Sequence, residues 1–390
     1  MGGSIQRHSV GFASKAHVAV SGAAANANSD VKRDWPFALG NATSRDKNKR
    51  ADIATASIAP GSVLLYHGRI TEMRIDCHVH ISALTPGHGL MSRRLLRSLP
   101  FRFMKWRLGT RGEGEPLERA IAAKLASTIA QTDSIDAAVV LAFDAVYNEA
   151  GEYDAPNTHL YVTNDYAIEV CRRHPKMLFG ASVHPYRKDA VREIERCVAA
   201  GAVLLKWLPI VQNFNPADNR CIPIYEALAH HNLPLLSHTG GEKSLPNLRT
   251  DVMDPALLLP AIQRGVKVIA AHCGTRSGPG EPDYVPTFIR MANDHEHFYG
   301  DTAALCFPTR SYAFKHLLAD KVASSKLLHG SDWPIISLPP ASILGLKRSI
   351  GLISDRNWLR RDVTTKKAIG FDDAYFRRAS TVLRLMKVTG

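Results

Sequence analysis

After Met73 the chain alternates short, continuous apolar runs with longer stretches whose apolar residues recur at helical spacing. Runs that leave no face for water suit strands buried on both sides, and helices between such strands suit a parallel sheet. Eight strands are predicted: RIDCHVH (74–80), DAAVVLAF (136–143), MLFGASV (177–183), AVLLKW (202–207), LPLLSH (233–238), KVIAAH (267–272), HFYGDT (297–302) and KLLHGSD (326–332). The clearest helices between them are EPLERAIAAKLASTIAQT, DAVREIERCVAAG, IPIYEALAHHN and DPALLLPAIQRG, two of which close on a glycine suited to a C-cap. Eight strand–helix units predict an α/β fold, a (β/α)8 TIM barrel over residues 73–390.

The first 72 residues read differently. VSGAAANANSD and GNATSRDKNKR are low in complexity and lack periodicity, so this stretch is expected to be a disordered or loosely attached extension. Its Arg, Lys and Ser content suits a transit peptide, but Asp30, Asp34, Asp46 and Asp52 oppose that reading. Because Met73 opens a complete strand, translation is expected to start there. SVLLYHG (62–68) would add a strand or plug if the extension is present.

Composition narrows the picture. Hydrophobic residues at 45% and charged residues at 22% suit a globular chain with a large core and exclude wholesale disorder. No run approaches the roughly 18 apolar residues that cross a bilayer. Six cysteines lie far apart with no CxxC pair, which argues against a disulfide framework or zinc ribbon and leads to the expectation of a reducing cytoplasm. The net charge of +13 admits anionic partners, and the extension holds only nine of the 49 basic and five of the 36 acidic residues. The excess therefore belongs mainly to the barrel.

A buried strand should end as apolar as it begins, and these do not. His78 and His80 end the first strand, Lys206 the fourth, His238 the fifth, His272 the sixth, Asp301 the seventh and Asp332 the eighth. From Lys206 onward the intervals are 32, 34, 29 and 31 residues, one strand–helix unit each, so the polar groups recur on one rim. Alternation puts His78 and His80 on the same side of their strand, within reach of one ion. A lone histidine in an apolar strand is more often a hydrogen-bonded core residue. Several imidazoles with a carboxylate on one rim are instead a ligand set for zinc or a related divalent ion.

IDCHVH, LLKWLP, LLSHTGG, IAAHCG and HGSDWP, in that order, give the chain its likeness. It resembles the amidohydrolase superfamily, specifically the second amidohydrolase family with its aminocarboxymuconate-semialdehyde decarboxylase-like members, from Met73 to about Leu385. The resemblance implies the same barrel, with His78, His80, His238 and Asp332 as metal ligands and His272 as a catalytic acid/base or second-metal ligand. It also implies two roles for Lys206: a carboxylated bridge between two metals, or a lysine facing an anionic substrate beside one metal. One ion is favoured. One departure from the family pattern is RRASTVLRL, which lacks the usual Asn-Ala pair and is expected to affect packing only.

The leading expectation is a metal-dependent hydrolase of an amide, ester or lactone bond, with Asp332 moving a proton and His272 polarising or protonating the substrate oxygen. Non-oxidative decarboxylation of an unsaturated or aromatic acid is the rival in the same site. A barrel that merely binds nucleic acid or anionic lipid would leave the rim residues idle, so nucleic acid is not expected. Trp207 is a further substrate-binding candidate, with rim packing its plainer role. A basic and apolar insertion at about 91–111 would lie over the catalytic face. Its Arg93, Arg94 and Arg97 are candidates to bind a small anionic substrate, packing on the barrel is the bland alternative, and docking of Trp106 and the phenylalanines on a membrane is the third. The sequence leaves a homo-oligomer open.

Overall fold

The structure, a computed structural model, describes residues 72–385. The expectations for the extension, including a start at Met73 and a strand at 62–68, lie outside these residues. Among the described residues ten strands follow in chain order: β1 (Ile75–His80), β2 (Gly89–Met91), β3 (Ala137–Leu141), β4 (Leu160–Val162), β5 (Met177–Ala181), β6 (Leu204–Trp207), β7 (Leu235–His238), β8 (Val268–Ala271), β9 (Phe298–Asp301) and β10 (Leu327–Leu328). Eight of them form one parallel sheet in the order β1-β3-β5-β6-β7-β8-β9-β10. The ring is completed where Cys77 N–H donates to His329 O at 2.9 Å and His80 N–H to Trp333 O at 2.8 Å. This is the TIM barrel, and each predicted strand is present.

Two apolar layers hold it. Ile75, Val139, Leu204, Leu236, Ile269 and Leu328, from six different strands, meet in one buried cluster that fills the barrel interior. Ala379, Val382 and Leu383 close its lower end, so the RRASTVLRL stretch does pack. The opposite faces of the same strands, including Val140, Leu205, Leu235 and Val268, pack against the helices in a larger cluster. Helix Gly114–Ala130 buries Leu117, Ile121, Leu125 and Ile129, one residue per turn, and helix Ala190–Ala199 buries Ile194, Cys197 and Val198.

Departures from the predicted elements have local causes. DPALLLPAIQRG forms a 3-10 turn, Pro255–Leu258, followed by a single α turn, Leu259–Ile262. Pro260 can donate no backbone hydrogen bond, so a longer helix does not form. β2 and β4 pair as a small antiparallel ribbon among the loops that follow β1 and β3. Glu118, buried in the following helix, receives Thr85 N–H at 2.9 Å and His88 Nδ1 at 2.5 Å, tying the first loop to the barrel.

Candidate active site

The ends of the strands bring the predicted polar groups to one rim. β1 carries His78 and His80, β6 Lys206, β7 His238 and β9 Asp301, while His272 directly follows β8 and Asp332 follows β10. His272 and Asp332 both sit at positive φ, 61° and 63°. Each is held by its own N–H: Asp332 donates to His78 O at 2.9 Å, and His272 to Asp301 Oδ1 at 2.8 Å.

Three donors converge. His78 Nε2 lies 3.1 Å from His80 Nε2, and Asp332 Oδ1 stands 3.4 and 3.1 Å from those two nitrogens. An ion with four ligands at about 2.1 Å would space them by roughly 3.4 Å, close to what these residues show. His78 is oriented from behind by Asp301 Oδ2, 2.6 Å from Nδ1, with both side chains buried. A proton on Nδ1 leaves Nε2 its lone pair for a metal. His238 stands edge-on to His272, their centroids 4.8 Å apart, and both its ring nitrogens are buried with no hydrogen-bond partner among the described residues. Such an orphan costs about 1–3 kcal/mol unless something binds it, so the donor set fits a divalent ion.

Electrostatics put these groups in the state a metal needs. Burial, then the nearby Lys206 cation, lowers the pKa of His78, and burial, then His272 and Lys206, takes that of His238 well below the usual range. Burial and Arg310 bring His272 down to about 3. Burial alone would raise both carboxylates, but His78 overcomes this at Asp301, and His78 with His80 does so at Asp332, so both fall. His78, His238 and His272 are thus pushed toward the neutral form and Asp301 and Asp332 toward the ionised one. His272 Nδ1 bonds to Ala303 O at 2.9 Å, so a neutral His272 presents a lone pair at Nε2 and accepts, rather than donates, a proton. Lys206 Nζ lies 3.2 Å from His78 Nε2, and burial lowers its pKa to about 8.

The sequence reading gave Asp301 no role and missed Arg310. Arg310 is 6% exposed and donates to Thr275 O and Oγ1 at 3.1 and 2.7 Å and to Gly241 O at 2.6 Å. It clamps together the loops that follow His238 and His272. Gly240, at φ 77°, lets these loops touch, because a Cβ there would stand 2.2 Å from Thr275 O. No sequence signal marks Arg310, whose role depends on the path of a loop.

Trp207 requires a correction. It alternates with Lys206, so when the lysine points inward the indole points into the helix layer. There it is fully buried against Phe214 and Tyr225, and its Nε1–H donates to Val183 O at 2.7 Å. It is a packing residue away from the rim. Arg93, Arg94 and Arg97 are exposed on and beside a one-turn helix, Arg93–Leu96, and among the described residues no hydrogen bond or ion pair links their side chains to the site.

Comparison with known proteins gives the family. Among solved structures, an uncharacterised TIM-barrel protein from Bordetella bronchiseptica matches at 15% identity and a TM-score of 0.50, over 76% of this chain and 99% of that one. A probable 2-pyrone-4,6-dicarboxylic acid hydrolase from Acinetobacter baumannii, with citric acid bound, matches at 14% and 0.48, over 79% of this chain and 95% of that one. A 5-carboxyvanillate decarboxylase from Sphingomonas paucimobilis matches at 12% and 0.47, over 81% of this chain and all of that one. No curated protein matches the sequence. The family model described as amidohydrolase matches residues 75–349, well over half of the chain, so this protein belongs to the amidohydrolase family and is a metal-dependent enzyme of that kind.

Proposed function

We propose that the protein hydrolyses an amide, ester or lactone bond in a small anionic substrate, with one divalent ion, zinc first among candidates, held by His78, His80, His238 and Asp332. The observation that carries this reading is the convergence of His78, His80 and Asp332, with the orphaned His238 reached through His272, whose ring lies 5.3 Å from that of His78. A divalent ion there supplies Lewis acidity to the scissile carbonyl and lowers the pKa of water. Asp332 faces His78 and His80 through Oδ1, and its Oδ2 takes the proton of the attacking water and passes it to the leaving group. His272, with its lone pair at Nε2, orients the water or accepts a proton from it, a different part from the oxygen-protonating one its sequence position suggested. Asp301 keeps His78 in the ligating tautomer, and Arg310 fixes the separation of His238 and His272. Lys206, a buried cation beside the centre, attracts a substrate carboxylate.

That same cation favours a second reading, decarboxylation, since a carboxylate drawn to Lys206 is also the group such a reaction would lose. Metal-loaded protein incubated with lactones, amides and unsaturated carboxylic acids separates the two. Hydrolysis products without carbon dioxide support the first reading, and carbon dioxide release overturns it. Six free cysteines support a reducing cytoplasm as the setting. No helix among the described residues is long and apolar enough to cross a membrane.

A further inference from the structure

Two helices near the catalytic end of the barrel expose apolar stripes. On helix Leu99–Leu108, Leu99, Phe103 and Trp106 are 76%, 48% and 70% exposed, while Phe101 and Leu108 face the barrel core. On helix Leu346–Ile353, Leu346, Ile350 and Ile353 are 70%, 59% and 46% exposed. Both triplets follow the i, i+4, i+7 spacing, which aligns side chains on one helix face. Single exposed apolar residues are ordinary, but two aligned stripes are not.

The helices that carry the stripes both approach helix Trp358–Ile369. The first helix belongs to the connection after β1 and the second to the connection after β10, whose start bridges β1 at Val79–Trp333. The Arg107 guanidinium lies 5.7 Å from the Trp106 ring and 5.6 Å from the ring of Trp358, the first residue of helix Trp358–Ile369. Helix Leu346–Ile353 packs on that same helix.

Within the two segments that carry the stripes the charge has one sign, the nearest acidic residues being Glu113 and Asp355 just beyond them. Residues 89–112 contain no Asp or Glu, yet Arg94, Arg97, Arg102, Arg107 and Arg111 are exposed among them. Residues 341–354 also lack an acidic side chain and expose Lys347 and Arg348 beside Leu346. A second copy of this chain fits poorly, because a symmetric contact would press like charges together. Nucleic acid fits the arginines but has no use for Leu99, Leu346, Ile350 and Ile353, which offer no ring for a base to stack on. Apolar side chains ringed by cations match one surface best, where anionic headgroups overlie hydrocarbon.

We propose that this face docks on an anionic lipid bilayer, with Leu99, Phe103, Trp106, Leu346, Ile350 and Ile353 entering the acyl boundary and the surrounding arginines meeting the headgroups. The catalytic rim would then open toward the membrane surface. The inference stands apart from the reaction, since docking needs no turnover.

The test is flotation of the full-length protein with phosphatidylcholine vesicles made with and without phosphatidylserine. Binding is expected only to the phosphatidylserine vesicles, weakening with salt. Arg94, Arg97 and Arg102 changed together to Gln should weaken it on the order of fivefold per charge. Phe103→Ser with Trp106→Ser, and separately Leu346→Ser with Ile350→Ser, should each weaken it at least about tenfold while leaving metal content and thermal stability near native. The proposal is overturned if the full-length protein ignores both kinds of vesicle, or if these variants float as the wild type does. It is also overturned if the serine variants instead abolish a concentration-dependent dimer or the retention of a single-stranded RNA.

Discussion

Replacing Asp301 by Asn tests the metal site without touching a ligand. Asp301 Oδ1 receives two backbone donors, His272 N–H at 2.8 Å and Ala303 N–H at 3.1 Å, while Oδ2 faces His78 Nδ1 at 2.6 Å. In the variant, the two N–H groups can be satisfied only by the amide oxygen, so the NH2 group must take the place of Oδ2. A donor then meets Nδ1, and the imidazole proton moves to Nε2. That is the nitrogen that points at His80 and Asp332, and with a proton on it His78 has no lone pair to give a metal.

Loss of a partner behind a ligating histidine weakens metal binding about 10–100-fold, and the inverted tautomer puts Asp301→Asn at the upper end, about 2.7 kcal/mol. Competition between the apo protein and a colour-changing chelator for zinc or manganese measures it. Nitrogen NMR of the imidazole reports the tautomer, and a thermal melt checks the fold. A folded Asp301→Asn protein with native metal affinity would refute the reasoning, because His78 would then not need its carboxylate to ligate.

Three further outcomes are expected. Mass and metal analysis should find an unmodified Lys206 and about one ion per chain, and Lys206→Met should raise KM for an anionic substrate while keeping the metal; an added carbon dioxide with two ions would replace one-metal chemistry by two. His184 is fully buried, with Nε2 2.7 Å from Gln212 O and Nδ1 accepting Tyr186 N–H at 3.1 Å, and burial lowers its pKa from 6.5 to about 4. Between those values the unfolded chain binds a proton that the folded chain refuses, so this contribution is complete above pH about 6.5 and falls by about 3 kcal/mol toward pH 4. Urea unfolding of wild type and His184→Gln across that window checks the slope, and parallel curves would be the contrary result. Asp332→Gly and Asp332→Ala should both remove metal binding, and metal-free Asp332→Gly should be the more stable of the two by about 1 kcal/mol, because glycine adopts φ 63° without strain; equal melts of the two variants would show that the backbone at Asp332 is not strained.

The barrel was legible because its signal is local. A parallel strand covered on both faces must be apolar throughout, so a histidine or aspartate at its end stands out, and the spacing of one unit puts such residues on one rim. What stayed hidden depends on chain geometry rather than residue type. β1 has a register shift between Asp76 and Val79, which no pattern of apolar residues reveals. The ribbon of β2 and β4 pairs segments of three residues each, too short for alternation to register. Arg310 acts through a loop that crosses to two others, whereas the outward direction of Trp207 was legible from its alternation with Lys206.

The ligand-bearing segments are held from outside the barrel as well as from within. Asp76 Oδ1 receives His78 N–H at 3.1 Å and Ser331 N–H at 3.0 Å, thereby joining β1 to the turn that carries Asp332. Lys366, buried in helix Trp358–Ile369, donates to Gly330 O at 2.7 Å and pairs with Asp362. Burial alone would lower the lysine's pKa, but Asp362 reverses that, so the ammonium stays charged. Buried charges of this kind carry a desolvation cost of several kcal/mol, and apolar replacements often fold as well or better. The positive φ of His272 and Asp332 adds roughly another 1 kcal/mol or more each, which glycine would avoid. Neither cost is explained by the needs of a barrel. Both fall on the backbone that sets the positions of His78, His272 and Asp332, where a displacement on the order of 0.5 Å already degrades a catalytic geometry. The polar groups behind the site thus act on function through rigidity: they fix the donors before an ion arrives, so that binding need not order them.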